Sequence, residues 1–333
     1  MSARALLYCA GGGIGDSLLA SVVASALRSR YATVDALTLA GHQSTLEHVP
    51  QIEAVLSDRG QPEAELAAEL RDRRYGAVVV TWATTRTARV PKLAGIPVRV
   101  GQSRRLYSRL FTKQVAVRSE LGDVTTHWSQ ILLDYARAIG CDTPDAQPHF
   151  VTTPTDETAA DNLLGSFADL KGDFALVHPT CAASAKRGFW PMAGWIALVQ
   201  RLQTRLQIPV LISGSEADAP LLQPLLTATS AISIAGKTSI GTFAAIARRA
   251  RVFPVMHSGP MHVAAAVGAP TVGIFPLQAD FPDRWAPLGP RVAVVRSSFC
   301  CRFGELMENC PDYACVEHLP VERILSAVEA LLA

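Results

Sequence analysis

An aspartate at the start of a helical pattern is the first candidate for chemistry. The segment GGGIGDSLL (residues 11–19) follows a short apolar run and leads into that pattern, so Asp16 is placed at the helix N-terminus. A carboxylate there stays ionised and held in one orientation, as a general base requires. Asp16 is also a favoured N-cap residue, a role that stabilises a helix by about 1 kcal/mol. The two roles are compatible, and the neighbouring glycines indicate that a large group approaches this backbone closely.

The glycines do not complete a nucleotide-binding loop. The dinucleotide template G-x-G-x-x-G fits Gly11 and Gly13, but Asp16 stands where the third glycine belongs, and its carboxylate would repel a diphosphate. The phosphate-loop template G-x-x-x-x-G-K-[ST] ends correctly at 236–238, but Ala231 occupies its first glycine position. We therefore reject both nucleotide-loop interpretations.

Two loops in the second half of the chain suit an anion. In HPTCAASAK (178–186), Lys186 is either a point charge for phosphate or a solvated loop lysine. In HSGPMH (257–262), Ser258 or Gly259 is expected to cap a helix whose exposed N–H groups and dipole favour an anion. His262 falls one turn into that helix, where a lone histidine is more often structural than ligand-binding.

A basic stretch without acidic residues runs from Arg73 to Ser119. Such a stretch requires an anionic partner or a large solvated face. Nucleic acid is disfavoured because no nucleic-acid motif is present and few aromatic residues are interleaved. A phosphorylated lipid fits better, and basic residues near an anionic leaflet each contribute about 1 kcal/mol to membrane attraction.

Four cysteines cluster near the C-terminus. Cys300, Cys301, Cys310 and Cys315 have the spacing C-C-x8-C-x4-C, which is not a standard zinc pattern. Reduced thiols beneath a loop are the first interpretation for a cytoplasmic protein. A structural iron or zinc site is the alternative on ligand type alone.

These residues are positioned by alternating apolar runs and helical patterns, which are typical of parallel sheets covered on both faces. The runs predicted as strands are 5–9, 34–39, 76–81, 96–100, 174–178, 208–213, 231–235, 251–256 and 270–275. A helix is predicted over Ser17–Arg30. The 333 residues, 49% of them hydrophobic, favour two domains with sizeable cores.

The domain boundaries follow from proline, glycine and helix patterns. We predict an N-terminal Rossmann-like domain over 1–150, a linker over 151–172, a second Rossmann-like domain over 173–320 and a C-terminal helix over 321–333. Two such domains facing each other would form a central cleft at the carboxyl ends of both sheets. No convincing membrane span or signal peptide is present, so a cytoplasmic location is expected.

Five segments, in order, make the chain resemble glycosyltransferase family 9, the ADP-heptose:lipopolysaccharide heptosyltransferases. These are GIGDSLLAS, HPTCAASAKRGFWP, GKTSIGTFAAIARRARVF, HSGPMHVAAAVGAPTVGIF and RWAPLG. The resemblance implies a GT-B fold of two doubly wound parallel-sheet domains. It also implies an inverting, metal-independent transfer of heptose to the lipopolysaccharide inner core, with no required cofactor. The absence of a D-x-D motif agrees with metal independence.

The resemblance assigns roles to particular residues. It makes Asp16 the general base and Lys186 the phosphate ligand. The expected donor-binding set is Thr180, Cys181, Ser184, Lys186, Gly214, Glu216, Gly236, Lys237, Thr238, His257, Ser258, Gly259, Pro260, Met261 and His262. The expected acceptor-binding set is Gly13, Gly15, Arg99, Arg104, Arg105 and Arg109, which would face an anionic glycolipid at the cytoplasmic side of the inner membrane.

Two departures from the family pattern leave alternatives open. His257 stands where the family usually has aspartate, so the donor sugar or nucleotide is in question. The spacing from Lys186 to Trp190 is also longer than usual. The alternatives are a family-9 transferase with another donor or a protein acceptor, a non-catalytic protein that binds a nucleotide or anionic glycolipid, and an NAD-linked oxidoreductase.

Overall fold

The computed structural model describes residues 4–168, 170, 172–181, 189–277, 282–298 and 314–333. The chain divides into two compact units, Met1–Val151 (unit 1) and Thr152–Ala333 (unit 2). Each unit is an α/β structure built on parallel strands. Among the described residues, no helix is both long enough and apolar enough to cross a membrane.

Unit 1 contains one six-stranded parallel sheet in the order β3-β2-β1-β4-β5-β6. Its strands are β1 (Arg4–Cys9), β2 (Thr33–Leu39), β3 (Val55–Asp58), β4 (Ala77–Val80), β5 (Val98–Gln102) and β6 (Lys113–Val115). The strand order reverses between β1 and β4, which pair directly through Ala5 and Ala77. In open α/β sheets this switch point leaves a crevice at the carboxyl ends of the strands, where ligands bind.

The helices of unit 1 cover this sheet. They are α1 (Ile14–Leu27), α2 (Gln43–Leu46), α3 (Glu63–Asp72), α4 (Thr85–Leu93) and α5 (Trp128–Arg137). Helix α1 packs against α5, and α3 packs against α4. Almost every residue of α1 is buried, so it is a central helix rather than a surface helix with one apolar stripe.

Unit 2 repeats the same strand order with a weaker junction. Its strands are β7 (Ala175–Val177), β8 (Val210–Ile212), β9 (Ile232–Ser233), β10 (Phe253–Met256), β11 (Thr271–Phe275) and β12 (Val292–Arg296). They form two three-stranded parallel sheets, β7-β8-β9 and β10-β11-β12. Two parallel bridges, Ala175–Val252 and His178–Val255, connect the sheets between β7 and β10. A second switch point therefore lies at the ends of β7 and β10.

The helices of unit 2 are α6 (Pro154–Gly165), α7 (Met192–Leu206), α8 (Ala219–Ala228), α9 (Ile240–Arg249), α10 (Gly259–Ala266), α11 (Pro282–Trp285), α12 (Ala314–Glu317) and α13 (Val321–Leu332). Helix α6 falls in the stretch expected to be a linker, but it packs against α9. Glu157 of α6 forms ion pairs with Arg248 and Arg249 of α9. Helix α13 packs against α7 and β12.

Every apolar run predicted as a strand overlaps an observed strand, and three further strands were not predicted. The strands β3, β6 and β12 are each outermost in their sheet. The α1 prediction was three residues late, because Gly13 caps the helix and Ile14 begins it.

Candidate functional site

The loop from β1 to α1 holds Asp16 inside the first helical turn. Gly13 is the N-cap, so the expectation that Asp16 itself caps the helix was wrong. Asp16 is the third helical residue, and its Oδ2 accepts the Gly13 N–H at 2.7 Å. This is one half of a capping box, and Gly13 has no side chain to return the second bond. Apart from this backbone contact, no side chain among the described residues hydrogen-bonds to the Asp16 carboxylate.

The glycines beside Asp16 make room for the protein's own side chains. A Cβ built on Gly11 would clash with the indole ring of Trp82, and one built on Gly12 would clash with the Asp16 carboxylate. Gly12 also has φ +69°, a conformation that L-residues rarely adopt. Gly13 is exposed, whereas Gly15 is buried in α1. The large group expected near this loop is therefore in part Trp82.

The surroundings of Asp16 raise its pKa, which is opposite to the direction expected for a carboxylate at a helix start. Burial raises the pKa of the Asp16 carboxyl above its usual range, while the Gly13 N–H and the charge of His42 lower it. The pKa of His42 is in turn lowered below its usual value by burial, and the charge of Asp16 offsets part of this shift. The Nδ1 atom of His42 lies 3.2 Å from the Oγ of Ser17, the residue after Asp16. A carboxyl with a raised pKa beside a histidine suits proton transfer.

The arginines proposed for the acceptor occupy different environments. Arg99 donates to the Leu110 carbonyl at 2.9 Å and the Ile96 carbonyl at 2.6 Å, so its guanidinium fixes the backbone. Arg105 forms an ion pair with Glu120. Arg104 is exposed with φ +67°, and Arg109 is exposed. Of these four, only Arg104 and Arg109 have no acidic or backbone acceptor for their guanidinium among the described residues.

A small cavity adjoins this basic segment. Its volume is about 300 Å³, and it is lined by Thr85, Arg89, Leu106, Tyr107, Arg109 and Leu110. The Leu106 side chain is 89% exposed. The cavity therefore combines cationic and apolar lining, which suits a ligand with both characters.

The switch point of unit 2 begins with a buried histidine. His178 follows β7, and burial lowers its pKa to about 4. Its Nδ1 lies 3.0 Å from the Ser213 Oγ, and its Nε2 lies 3.4 Å from the Thr180 Oγ1. These contacts fix the start of the loop in which donor binding was predicted. Thr180 is buried and Cys181 is half-buried, whereas Ser184 and Lys186 lie outside the described residues.

Helix α10 begins at the other side of this switch point. Ser258 is the N-cap, Pro260 lies in the first turn, and no acidic residue is present in that turn. The Met261 N–H donates to the Ser258 carbonyl, which leaves the Gly259 N–H as a donor at the half-buried start of the helix. The Met261 side chain is fully buried, so any contact of this residue with a ligand would be through the backbone. His262 is also buried, at 6% exposure.

His257 sits between β10 and this helix. Its N–H donates to the Ile274 carbonyl at 3.1 Å. Its ring stacks on Phe275, with centroids 5.3 Å apart and planes 19° apart. This stacking fixes the imidazole beside the start of α10.

Three predicted donor residues lie together after β8 and β9. The Gly236 N–H donates to the Gly214 carbonyl at 3.0 Å, and Gly236 has φ +71°. A Cβ on Gly236 would lie 3.1 Å from the Glu216 Cα, so this close approach requires glycine. Lys237 is exposed and its Nζ lies 5.4 Å from the Phe167 ring centroid, while Thr238 is half-buried.

The cysteine cluster falls mostly outside the part of the chain that the structure describes. Cys300, Cys301 and Cys310 are not described, and Cys315 is buried against Leu277 and Val316. Within the described ranges, no three histidine, cysteine or acidic side chains are grouped to hold a metal ion.

Three site-lining residues were not singled out from the sequence. Trp82 follows a predicted strand, and an aromatic residue directly after a strand was the available signal. His178 stood at the end of a predicted strand in the same way. His42 carried no pattern, since its proximity to Ser17 depends on the pairing of β1 with β2.

Comparison with known families finds one match. The model of glycosyltransferase family 9 (heptosyltransferase) matches residues 64–309, which include the described parts of the unit 2 switch point. Asp16 precedes the matched range. A search of curated proteins finds no match.

Solved structures resemble nearly the whole chain. The E. coli ADP-heptose lps heptosyltransferase II has a TM-score of 0.82 at 20% identity, covering 100% of this chain and 98% of that one. A glycosyl transferase family 9 protein from Veillonella parvula DSM 2008 has 0.82 at 19% identity, with the same coverage. The E. coli heptosyltransferase WaaC with ADP has 0.72 at 15% identity, covering 98% and 99%. These likenesses show the fold.

Proposed function

Because the chain belongs to glycosyltransferase family 9, we propose that it transfers a heptose from ADP-heptose to a lipopolysaccharide inner-core acceptor of the Kdo–lipid A type. The transfer inverts the anomeric centre and requires no metal. Unit 1 binds the acceptor and unit 2 binds the donor. The solved relatives support this donor, since one is an ADP-heptose lps heptosyltransferase and another is a heptosyltransferase with ADP.

The observation that carries the proposal is the placement of Asp16. Its carboxylate is held by the Gly13 N–H at the switch point of unit 1, and its second oxygen accepts no hydrogen bond from a described side chain. In the proposed reaction this carboxylate takes the proton of an acceptor hydroxyl. The hydroxyl oxygen then bonds to the anomeric carbon, and the bond from that carbon to the diphosphate breaks, releasing ADP with the electron pair.

The donor side must stabilise the departing diphosphate. The start of α10 supplies the Gly259 N–H and a helix dipole without a competing carboxylate. The family resemblance adds Lys186 and Ser184 to this site, and it assigns the turn of Gly236, Lys237 and Thr238 to the adenosine.

Replacement of Asp16 tests the chemical step. With ADP-heptose and O-deacylated Kdo–lipid A, we expect Asp16→Ala to lower kcat by about 10³-fold, the range of general base catalysis. The affinity for ADP should stay within about threefold, because the residue does not bind the nucleotide. The measurements are ADP release, product anomeric configuration by NMR, and ADP binding by calorimetry, each with and without EDTA.

Asp156→Asn is the matched control. Asp156 is also the third residue of its helix and accepts the Thr153 N–H at 2.9 Å. This variant should keep the wild-type kcat. Full activity of Asp16→Ala would contradict the base assignment. Binding of ADP without its release from any nucleotide-sugar, across several acceptors, would favour a binding protein.

The donor itself is tested by a panel of nucleotide-sugars, because His257 replaces the usual aspartate of the family. ADP-heptose should give the highest kcat/KM. A higher value for another sugar or nucleotide would assign a different donor to the same enzyme.

The acceptor's anionic and lipid character agrees with the surface of unit 1. Arg104 and Arg109 flank Leu106, whose side chain is 89% exposed. We propose that this segment makes peripheral contact with the cytoplasmic face of the inner membrane. Co-sedimentation with vesicles containing phosphatidylglycerol, and not with pure phosphatidylcholine vesicles, is the expected result. Equal binding to both would contradict the contact.

A further inference from the structure

An exposed tryptophan stands at the switch point of unit 1. Trp82 follows β4, and 44% of its surface is accessible. One face of its indole packs on Gly11, where a Cβ would clash with the ring. The next residue, Gly12, packs in the same way on the Asp16 carboxylate. Trp82 and Asp16 therefore border two consecutive glycines at the end of β1.

The loop that carries Trp82 is held in one conformation. The Thr81 N–H donates to the Tyr8 carbonyl at 3.1 Å. The Thr87 Oγ1 donates to the Trp82 carbonyl at 3.1 Å, and the Tyr107 hydroxyl donates to the Ala83 carbonyl at 2.7 Å. Each residue from 81 to 83 is thus fixed through its backbone.

A buried network anchors the helix that follows this loop. Arg86 of α4 makes two hydrogen bonds to Asp58, at 2.7 and 3.0 Å. The Tyr8 hydroxyl donates to the same carboxylate. These bonds tie α4 to β3 and β1, so one helix and two strands together set the position of Trp82.

A large aromatic ring held open to water requires a reason. Exposed apolar side chains scattered singly are ordinary, but few are fixed at the carboxyl edge of a parallel sheet where the strand order reverses. The free face of the indole carries the negative part of the ring quadrupole. It is complementary to the face of a pyranose ring, where C–H groups present a weak positive charge, while the sugar hydroxyls point outward from the ring edge.

We propose that Trp82 stacks on the sugar ring of the acceptor and so places its hydroxyl at Asp16. The inference rests on the proposed function for the identity of the acceptor. It assigns to Trp82 a direct contact with substrate that determines acceptor binding. The contact is separate from the ionic recognition attributed to Arg104 and Arg109.

Two substitutions distinguish stacking of Trp82 on the acceptor sugar from simple packing of its side chain over Gly11. Trp82→Phe keeps an aromatic face, whereas Trp82→Leu keeps apolar volume without one. With O-deacylated Kdo–lipid A, we expect Leu to raise the acceptor KM about 10-fold and Phe about 2-fold, since a lost aromatic contact is worth about 1 kcal/mol or more. The donor KM should stay within about twofold for both. Leu121→Ala, at another exposed apolar side chain of unit 1, is the control and should leave both KM values unchanged.

A binding measurement reads the contact without turnover. Titration of the same saccharide, with no donor present, should quench a component of indole emission that wild type has and Trp82→Phe lacks. Equal acceptor KM values for the Leu and Phe variants would overturn the stacking, and so would unchanged Trp82 emission. If the saccharide quenches the Trp82 emission to saturation but wild type releases no ADP, the proposed transfer reaction is rejected and the stacking proposal is retained.

Discussion

The helices that begin at the two switch points differ in the charge of their first turn. Helix α1 in unit 1 carries Asp16 in its first turn, and helix α10 in unit 2 carries no acidic residue there. Both units have the same strand order, so their sheets offer similar crevices. The ligand each crevice suits is therefore decided by a few residues of the first helical turn. A diphosphate fits the start of α10, and a neutral hydroxyl fits the start of α1.

A second comparison separates Asp16 from an ordinary capping carboxylate. Asp156 at the start of α6 accepts both the N–H and the hydroxyl of Thr153, and it is almost fully buried. A Cβ on Gly241 of α9 would clash with it. Asp16 has the same position in its helix but accepts one hydrogen bond from Gly13, and its loop is exposed. Under the proposed function, this spare hydrogen-bonding capacity is what would make Asp16 a reactive carboxylate and Asp156 a structural one.

Among the substitutions that alter this difference between Asp16 and Asp156, Gly12→Ala should have the largest effect on kcat. The added Cβ clashes with the Asp16 carboxylate and forces it away. We expect kcat to fall about 100-fold, as small misplacements of a catalytic group cause. Gly140→Ala is the control, because Gly140 also has positive φ but nothing within 4 Å of its Cβ position. Similar kcat values for the two variants in ADP release would show that the position of Asp16 does not matter.

Ser258→Asp gives α10 the acidic start that α1 has. Aspartate is as good an N-cap as serine, so helix stability should be retained. The affinity for ADP should weaken about 30-fold, because a like charge a few ångströms away costs a few kcal/mol. Ser258→Asn is the neutral control and should bind ADP as wild type does. Calorimetric titration measures both, and an affinity loss below about threefold for the aspartate would reject the diphosphate site at α10.

The smallest expected effect is a difference in the free energy of unfolding between Asp16→Asn and Asp156→Asn. Burial raises the pKa of Asp16, so its ionised form is disfavoured in the folded state. The stability that this shift contributes is present below the ordinary aspartate pKa and is lost as the pH rises through the folded value. At pH 7 Asp16→Asn should therefore be as stable as wild type, or more stable.

Asp156→Asn should instead lower the free energy of unfolding by about 1 kcal/mol, because it weakens a complete capping box. Urea denaturation at pH 7 measures both variants, and at pH 4 wild type should gain stability relative to Asp16→Asn. An equal loss for the two variants at pH 7 would make Asp16 a structural cap.

The sequence predicted the central strands better than the outer ones. Central strands such as β1 and β4 are buried on both faces and read as continuous apolar runs. The outermost strands β3 and β6 are short and partly exposed, so VLSD and KQV carry little signal. The run VAVV of β12 was readable and was missed.

The candidate site was predictable only where it is local in sequence. Asp16 and the start of α10 follow from short patterns next to strand ends. The packing of Trp82 on Gly11 and the contact of His42 with Ser17 arise from strand pairing, which no local pattern specifies. The roles of Arg99 and Arg105 were also hidden, since their partners Leu110 and Glu120 are fixed by tertiary structure.

The parallel pairing of Ala5 with Ala77 has a consequence for how this protein is made. Strand β4 can join β1 only after two further strands and three helices have been synthesised, and such distant contacts form slowly. Until then the glycine loop has no indole above it and the Asp16 carboxylate is open to water. The crevice at the switch point of unit 1 is thus completed late, after residue 82 has emerged from the ribosome.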